Sequence, residues 1–156
     1  MKTVIVLITA IMFWGTGTPP ALATNDRTDQ AASRSGTRTM VGLNALTLAK
    51  DYVGTRYCKG GISPRCFDCS GLIKYVYSKQ GIKLPGFVSG QMKAATIIPK
   101  SLAQPGDLVF FVTKSGYPYH VGIYMGNNEI LHSPKPGRKV RVETIWSSRV
   151  KFGTIS

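Results

Sequence analysis

The sequence predicts an α+β domain in which helices come first and antiparallel strands second. Two observations carry this. Between Met40 and Lys79 apolar residues recur at helical spacing, and beyond Pro105 they gather into short β-branched and aromatic runs cut by Gly, Pro and Asn. Helices in one block and strands in another place the helices against an antiparallel sheet.

The chain opens with Lys2, the apolar run "TVIVLITAIMFW" and the small residues "ALA" at 21–23, the three-part layout of a secretory signal peptide. Cleavage is expected after Ala23. The apolar run is shorter than the roughly 20 residues of a spanning helix, and Gly15, Gly17, Pro19 and Pro20 interrupt the chain just beyond it, so no stable membrane anchor is expected. Export through the Sec route places the mature protein in the periplasm or outside the cell. Residues 24–40 are rich in Ser, Thr, Asp and Arg and read as a flexible linker. Residues 41–156 suffice for one domain with a hydrophobic core and leave no room for a second.

Within that domain Val41, Leu43, Leu46, Leu48, Ala49 and Tyr52 form the face of a first helix, which Gly54 stops. Residues 55–67 form a Gly- and Pro-containing loop. A second helix is expected from about Ser70 to Lys79 through Leu72, Ile73, Val76 and Tyr77, closed by Gly81, and a short third helix around Ser89 to Ala95. Strands are expected at 107–112, 120–125, 129–133 and 139–145. Phe110, Phe111 and Trp146 read as core. Gly60 and Gly61 read as a positive-φ turn or a close backbone approach, since the strand-to-helix context of a phosphate loop is missing.

Lys and Arg outnumber Asp and Glu by 20 to 7, a formal charge of +13 that favours anionic partners. The bases are scattered rather than interleaved with aromatics, and the chain reads as exported, so no nucleic acid partner is expected.

The chemistry gathers around "RCFDCSGLIKYVY", residues 65–77. Cys66 and Cys69 could be a redox pair, half of a metal site, or a structural thiol beside a reactive one. A redox CxxC belongs after a strand in a βαβ unit, whereas here a helix and loop precede it. Cys58, Cys66, Cys69 and His120 show no recognised zinc-ligand spacing, and no metal or organic cofactor is expected. In an oxidising compartment three cysteines suggest one bridge and one free sulfur. Cys69 falls in the first turn of the second helix, where unpaired N–H groups and the helix dipole favour a thiolate.

Such a nucleophile needs a base, and the chain has two histidines. If Gly126, Asn127 and Asn128 form a three-residue hairpin loop, Met125 faces Glu129, and His132 becomes the diagonal neighbour of His120 on one face. A two-residue turn would put the rings on opposite faces.

The stretch "Y..GG.SP..FDCSGL" from Tyr57 to Leu72, with "PGDLVFF" at 105–111, "HVGIYMGN" at 120–127 and "LHSP" at 131–134, resembles the NlpC/P60 family of papain-like cell-wall peptidases over roughly residues 41–154. The resemblance implies a cysteine endopeptidase acting on peptidoglycan stem peptides, commonly between γ-D-glutamate and meso-diaminopimelate. Cys69 then matches the nucleophile, His120 the general base, and His132 the polar residue that orients the base. Tyr57, Asp68 and Ser70 match pocket positions, Asp68 and Ser70 being suited to a free α-amino group on the substrate. The competing reading of Asp68 and Ser70 is a helix cap. Anionic cell-wall polymers would suit the basic surface. A monomer is expected.

The chain departs from the family pattern at Cys58, Lys59, Arg65 and Cys66. Lys59 stands where family members often carry an aromatic. The two cysteines flank the loop "CKGGISPRC", and a bridge between Cys58 and Cys66 would staple it, contributing about 2.5 kcal/mol by chain entropy. The alternatives are an amidase cutting the sugar-to-alanine linkage with the same thiol, and a catalytically silent cell-wall binding module, which would need neither Cys69 nor the histidines.

Overall fold

The computed structural model describes residues 40–155 together with Gly36. The expected signal segment 1–23 and all but Gly36 and Met40 of the expected linker 24–40 lie outside the described residues. Helix α1 covers residues 40–50, and Gly54, at φ 91°, ends the turn after it. A two-stranded ribbon, β1 (Ile62–Ser63) and β2 (Cys66–Phe67), leads into α2 (Cys69–Ser78), and α3 (Val88–Ala94) comes next. Among the described residues no helix is long and apolar enough to cross a membrane.

The remaining strands are β3 (Thr96–Ile98), β4 (Leu108–Val112), β5 (Pro118–Gly126), β6 (Glu129–His132), β7 (Arg141–Thr144) and β8 (Val150–Thr154). They form one sheet in the order β3-β8-β4-β5-β6-β7, with every pairing antiparallel. On one face Leu108, Phe110, Val121, Ile123 and Leu131 are buried against Leu46, Leu72, Ile73 and Val76 of α1 and α2. Val109, Phe111, Tyr124, Ile130, Ile145 and Phe152 build a second, smaller core on the other face. Strand β4 is therefore buried on both sides, which is why "LVFFV" is continuously apolar. Each such side chain removed from water contributes roughly 1.5–3 kcal/mol.

The hairpin between the histidines differs from expectation in its loop. Its turn has two residues, Asn127 and Asn128, at φ 51° and 62°, and Gly126 faces Glu129. Two consecutive positive φ values suit the twist of a tight hairpin. A bulge between Tyr124 and Gly126 then shifts the register by one, so that Tyr124 faces Ile130 and Ile123 faces Leu131. The extra residue Met125 thus restores the alignment that a longer loop would have produced.

Four strands and one side chain depart from the sequence reading: the β1–β2 ribbon lies within the expected loop 55–67, and β3 and β8 lie outside the expected strands. β3 and β8 lack a clear apolar alternation, and Gly153 lies inside β8 because a Cβ there would stand 3.0 Å from the Ala95 Cβ and 3.1 Å from Phe110. Phe110 and Phe111 are fully buried as expected, but Trp146 is 51% exposed. Its position just past β7 lets it stack on Phe111 with 4.0 Å between ring centroids while its outer face meets solvent.

Candidate active site

Cys69 is the first residue of α2, and the loop before it is held to the helix from both sides. Asp68 caps the helix: its Oδ1 accepts from the Gly71 N–H at 2.6 Å, and its Oδ2 accepts from the Gly60 N–H at 2.8 Å. One carboxylate thereby fixes the helix start and the glycine loop together. Gly60 adopts φ 71°, and a Cβ on Gly61 or Gly71 would collide with the facing backbone. The expected bridge is present: Cys58 and Cys66 are joined, with Cα atoms 5.6 Å apart. Cys69 is the free cysteine. This pairing removes the Cys66–Cys69 redox pair.

The Ser70 hydroxyl is buried and lies within hydrogen-bonding distance of the Gly86 carbonyl (3.0 Å) and Asp68 Oδ1 (3.2 Å), where it supports the turn. Tyr57 sits near both Cys69 and Asp68, and burial together with those two neighbours raises its pKa. The backbone N–H of Tyr57 donates to Arg138 at 2.9 Å, tying the loop to the segment that enters β7.

The Cys69 thiol meets the sheet at β5, where the backbone of Val121, the residue after His120, hydrogen-bonds to it, as do those of Ser70 and Cys69. These bonds favour the thiolate, but burial and the Asp68 charge outweigh them and push the thiol up. His120 Nε2 lies 2.7 Å from His132 Nδ1, with the rings edge to face. Burial, reinforced by the neighbouring ring, lowers His120 to about 3. Burial and the Arg141 charge lower His132 to about 4. All of these shifts favour a neutral thiol and neutral imidazoles at rest, which corrects the thiolate expected at the helix start, because burial outweighs the N–H groups there.

Gly122 explains how two imidazoles fit between adjacent strands. It lies beside His132 on the histidine face, and a Cβ there would stand 3.1 Å from the His132 Cβ and from Ile130. A residue outside the sequence motifs completes the row. Glu143 on β7 places Oε2 2.7 Å from His132 Nε2 and forms an ion pair with Arg141. The alternation in "KVRVETI" marks Arg141 and Glu143 as sharing a strand face, but the register of β7 against β6 depends on the loop 133–140, whose geometry no motif specifies. Beside the histidines a cavity of about 460 Å³ is lined by Tyr119, Lys135, Arg138 and Trp146 among others.

A partly exposed thiol at a helix start that meets the β5 backbone of an antiparallel sheet, one residue along the chain from a paired histidine, defines the papain-like class of α+β folds. The chain belongs to the NlpC/P60 family, whose sequence profile matches residues 54–154. It is 46% identical over 91 residues to a probable endopeptidase p60 of Listeria innocua, covering 58% of this chain and 19% of that protein. It is 36% identical over 96 residues to a gamma-D-glutamyl-L-lysine dipeptidyl-peptidase of Bacillus subtilis, covering 60% and 32% respectively. Among solved structures, the NlpC/p60 domain of peptidoglycan hydrolase SagA superposes with a TM-score of 0.66 at 36% identity, covering 74% of this chain and 98% of that one. The chain spans about a fifth of the length of the Listeria relative.

Proposed function

We propose that the protein is an exported cysteine endopeptidase that hydrolyses peptidoglycan stem peptides at the γ-D-glutamyl–meso-diaminopimelate bond. The observation that carries this is that the free Cys69 at the start of α2 meets β5 at the backbone of Val121, next in the chain to His120, whose ring is paired with His132. The γ-D-glutamyl side of the bond draws support from the Bacillus relative, whose name specifies a γ-D-glutamyl–L-lysine linkage.

In this mechanism His120 Nδ1 removes the Cys69 proton as sulfur attacks the γ-carbonyl carbon, because His120 Nε2 is engaged with His132. The oxyanion forms beside the backbone N–H of Cys69 at the helix start, where the dipole favours negative charge. His120 then gives its proton to the leaving amine and the C–N bond breaks. The thioester is resolved by water, which loses a proton to His120 as it attacks, and the thiol is regenerated with a carboxylate product. Tyr57 and Asp68 line the acyl side, where the Asp68 charge would hold the free α-amino group of the stem. Ser70 contributes by fixing Asp68. The basic surface draws the protein to anionic wall polymers.

The test is mass spectrometry of muropeptides incubated with the protein beside Cys69→Ala and His120→Ala. A cut between glutamate and diaminopimelate is expected, with each variant slower by roughly a thousandfold or more. Products cut only at the sugar linkage, or unchanged rates in either variant, would sink the assignment.

A further inference from the structure

The motifs that identify Cys69, His120 and His132 do not include Glu143, yet it stands in line with them. We propose that Glu143 is a positioning residue that acts through His132 to set the tautomer of His120, so that the nitrogen offered to Cys69 is a base. The proposal rests on the reading of Cys69 and His120 as the reacting pair.

The chain of donors and acceptors leaves one arrangement. A carboxylate offers lone pairs only, so at 2.7 Å from Glu143 Oε2 the His132 Nε2 must carry the proton. A neutral imidazole has one N–H, so His132 Nδ1 is an acceptor. The 2.7 Å contact to His120 Nε2 then requires that nitrogen to be the donor. His120 Nδ1 is left with a lone pair. The opposite tautomer of His132 would point two lone pairs at each other across 2.7 Å, which costs more than a missing hydrogen bond.

The sheet builds this row by diagonal steps. His132 faces Arg141 and Ile130 faces Glu143, so Glu143 is one diagonal step from His132, as His132 is from His120. Arg141 grips the other Glu143 oxygen and keeps the carboxylate from turning to solvent. A half-exposed Arg–Glu pair on an edge strand adds little to stability by itself, so its orientation toward a buried ring is the informative feature.

Two measurements test this, and neither requires hydrolysis of any substrate. In the unaltered protein, long-range 1H–15N spectra of labelled histidine at pH 7 should show His132 protonated on Nε2 alone; a proton on His132 Nδ1 overturns the proposal. In Glu143→Gln Arg141 keeps the amide oxygen and turns the amide NH2 toward His132 Nε2, which favours the opposite tautomer and a proton on His120 Nδ1. Alkylation of Cys69 by iodoacetamide at pH 7 should slow by roughly tenfold or more, with Glu143→Asp recovering part of the rate. A rate within twofold of the parent, in a variant with the parent's thermal midpoint, also overturns it. If the tautomers are as stated and no muropeptide is cut, the proposed function fails while the role of Glu143 stands.

Discussion

At the scale of single residues, the buried imidazoles make stability depend on pH in a defined direction. Their native pKa values, about 3 for His120 and about 4 for His132, lie below the usual histidine value of 6.5. As pH falls through 6.5 the unfolded chain takes up protons that the native protein refuses. Stability is therefore fully present above pH 6.5 and lost progressively toward pH 4. Two protons correspond to about 2.7 kcal/mol per pH unit at the steepest point. Urea unfolding between pH 7 and 4.5 should show this slope, and His120→Gln should roughly halve it; an equal slope in the variant would refute the assignment. Gly122→Ala is the second residue-scale test. Its new methyl would press on His132 and Ile130, so about 1–3 kcal/mol of stability should go, and turnover should fall with it. Unchanged turnover in a folded Gly122→Ala protein would show that the rings do not need this gap.

At the scale of elements, the loop from Cys58 to Asp68 is a bracket for the start of α2. Replacing both Cys58 and Cys66 by Ser should lower stability by about 2.5 kcal/mol, and should raise KM more than it lowers kcat, because Cys69 remains on its helix. Asp68→Asn separates two roles. The amide oxygen still caps Gly71 but the amide nitrogen cannot accept from Gly60, so about 1–3 kcal/mol of stability should go, while KM should rise for stems with a free α-amino group and not for stems without one. A KM unchanged for such stems would leave Asp68 a purely structural cap.

The same elements show what the sequence made legible. α1 and α2 were readable because one face of each is buried and the apolar spacing records it, and the strands from 107 to 145 because their β-branched and aromatic runs are cut by Gly, Pro and Asn turns. The places of Cys69 at a helix start and His120 on a strand were readable from local sequence, and the Cys58–Cys66 bridge from the departure of two loop positions from the family pattern. β3 and β8 were not, since the alternation in β8 runs only through Val150, Lys151 and Phe152 before Gly153 and Thr154 end it, and β3 has three residues. The hairpin register came out right although its loop did not, because the bulge at Met125 cancels the shorter turn. Glu143 was hidden by the untyped connection between β6 and β7, and the exposure of Trp146 by the same lack of long-range information.

At the scale of the whole molecule, the formal charge of +13 should govern how the protein meets an intact wall. Raising salt from about 50 to about 500 mM should slow release of fragments from whole sacculi while leaving hydrolysis of small soluble muropeptides nearly unchanged. Equal salt sensitivity for both substrates would show that the surface charge has no part in wall capture.

The place of β8 between β3 and β4 has a consequence in time. Thr96 must find Thr154, and Leu108 must find Gly153, before either strand gains its partner on that side. Every nascent chain shorter than this leaves the β4 edge and the apolar face of Phe110 without their cover. The sheet therefore cannot close around β3 and β4 until residues 150–154 have been made. A chain ending at Arg149 should accordingly bind a hydrophobic dye and melt without a cooperative transition, whereas one retaining residues 150–155 should melt sharply.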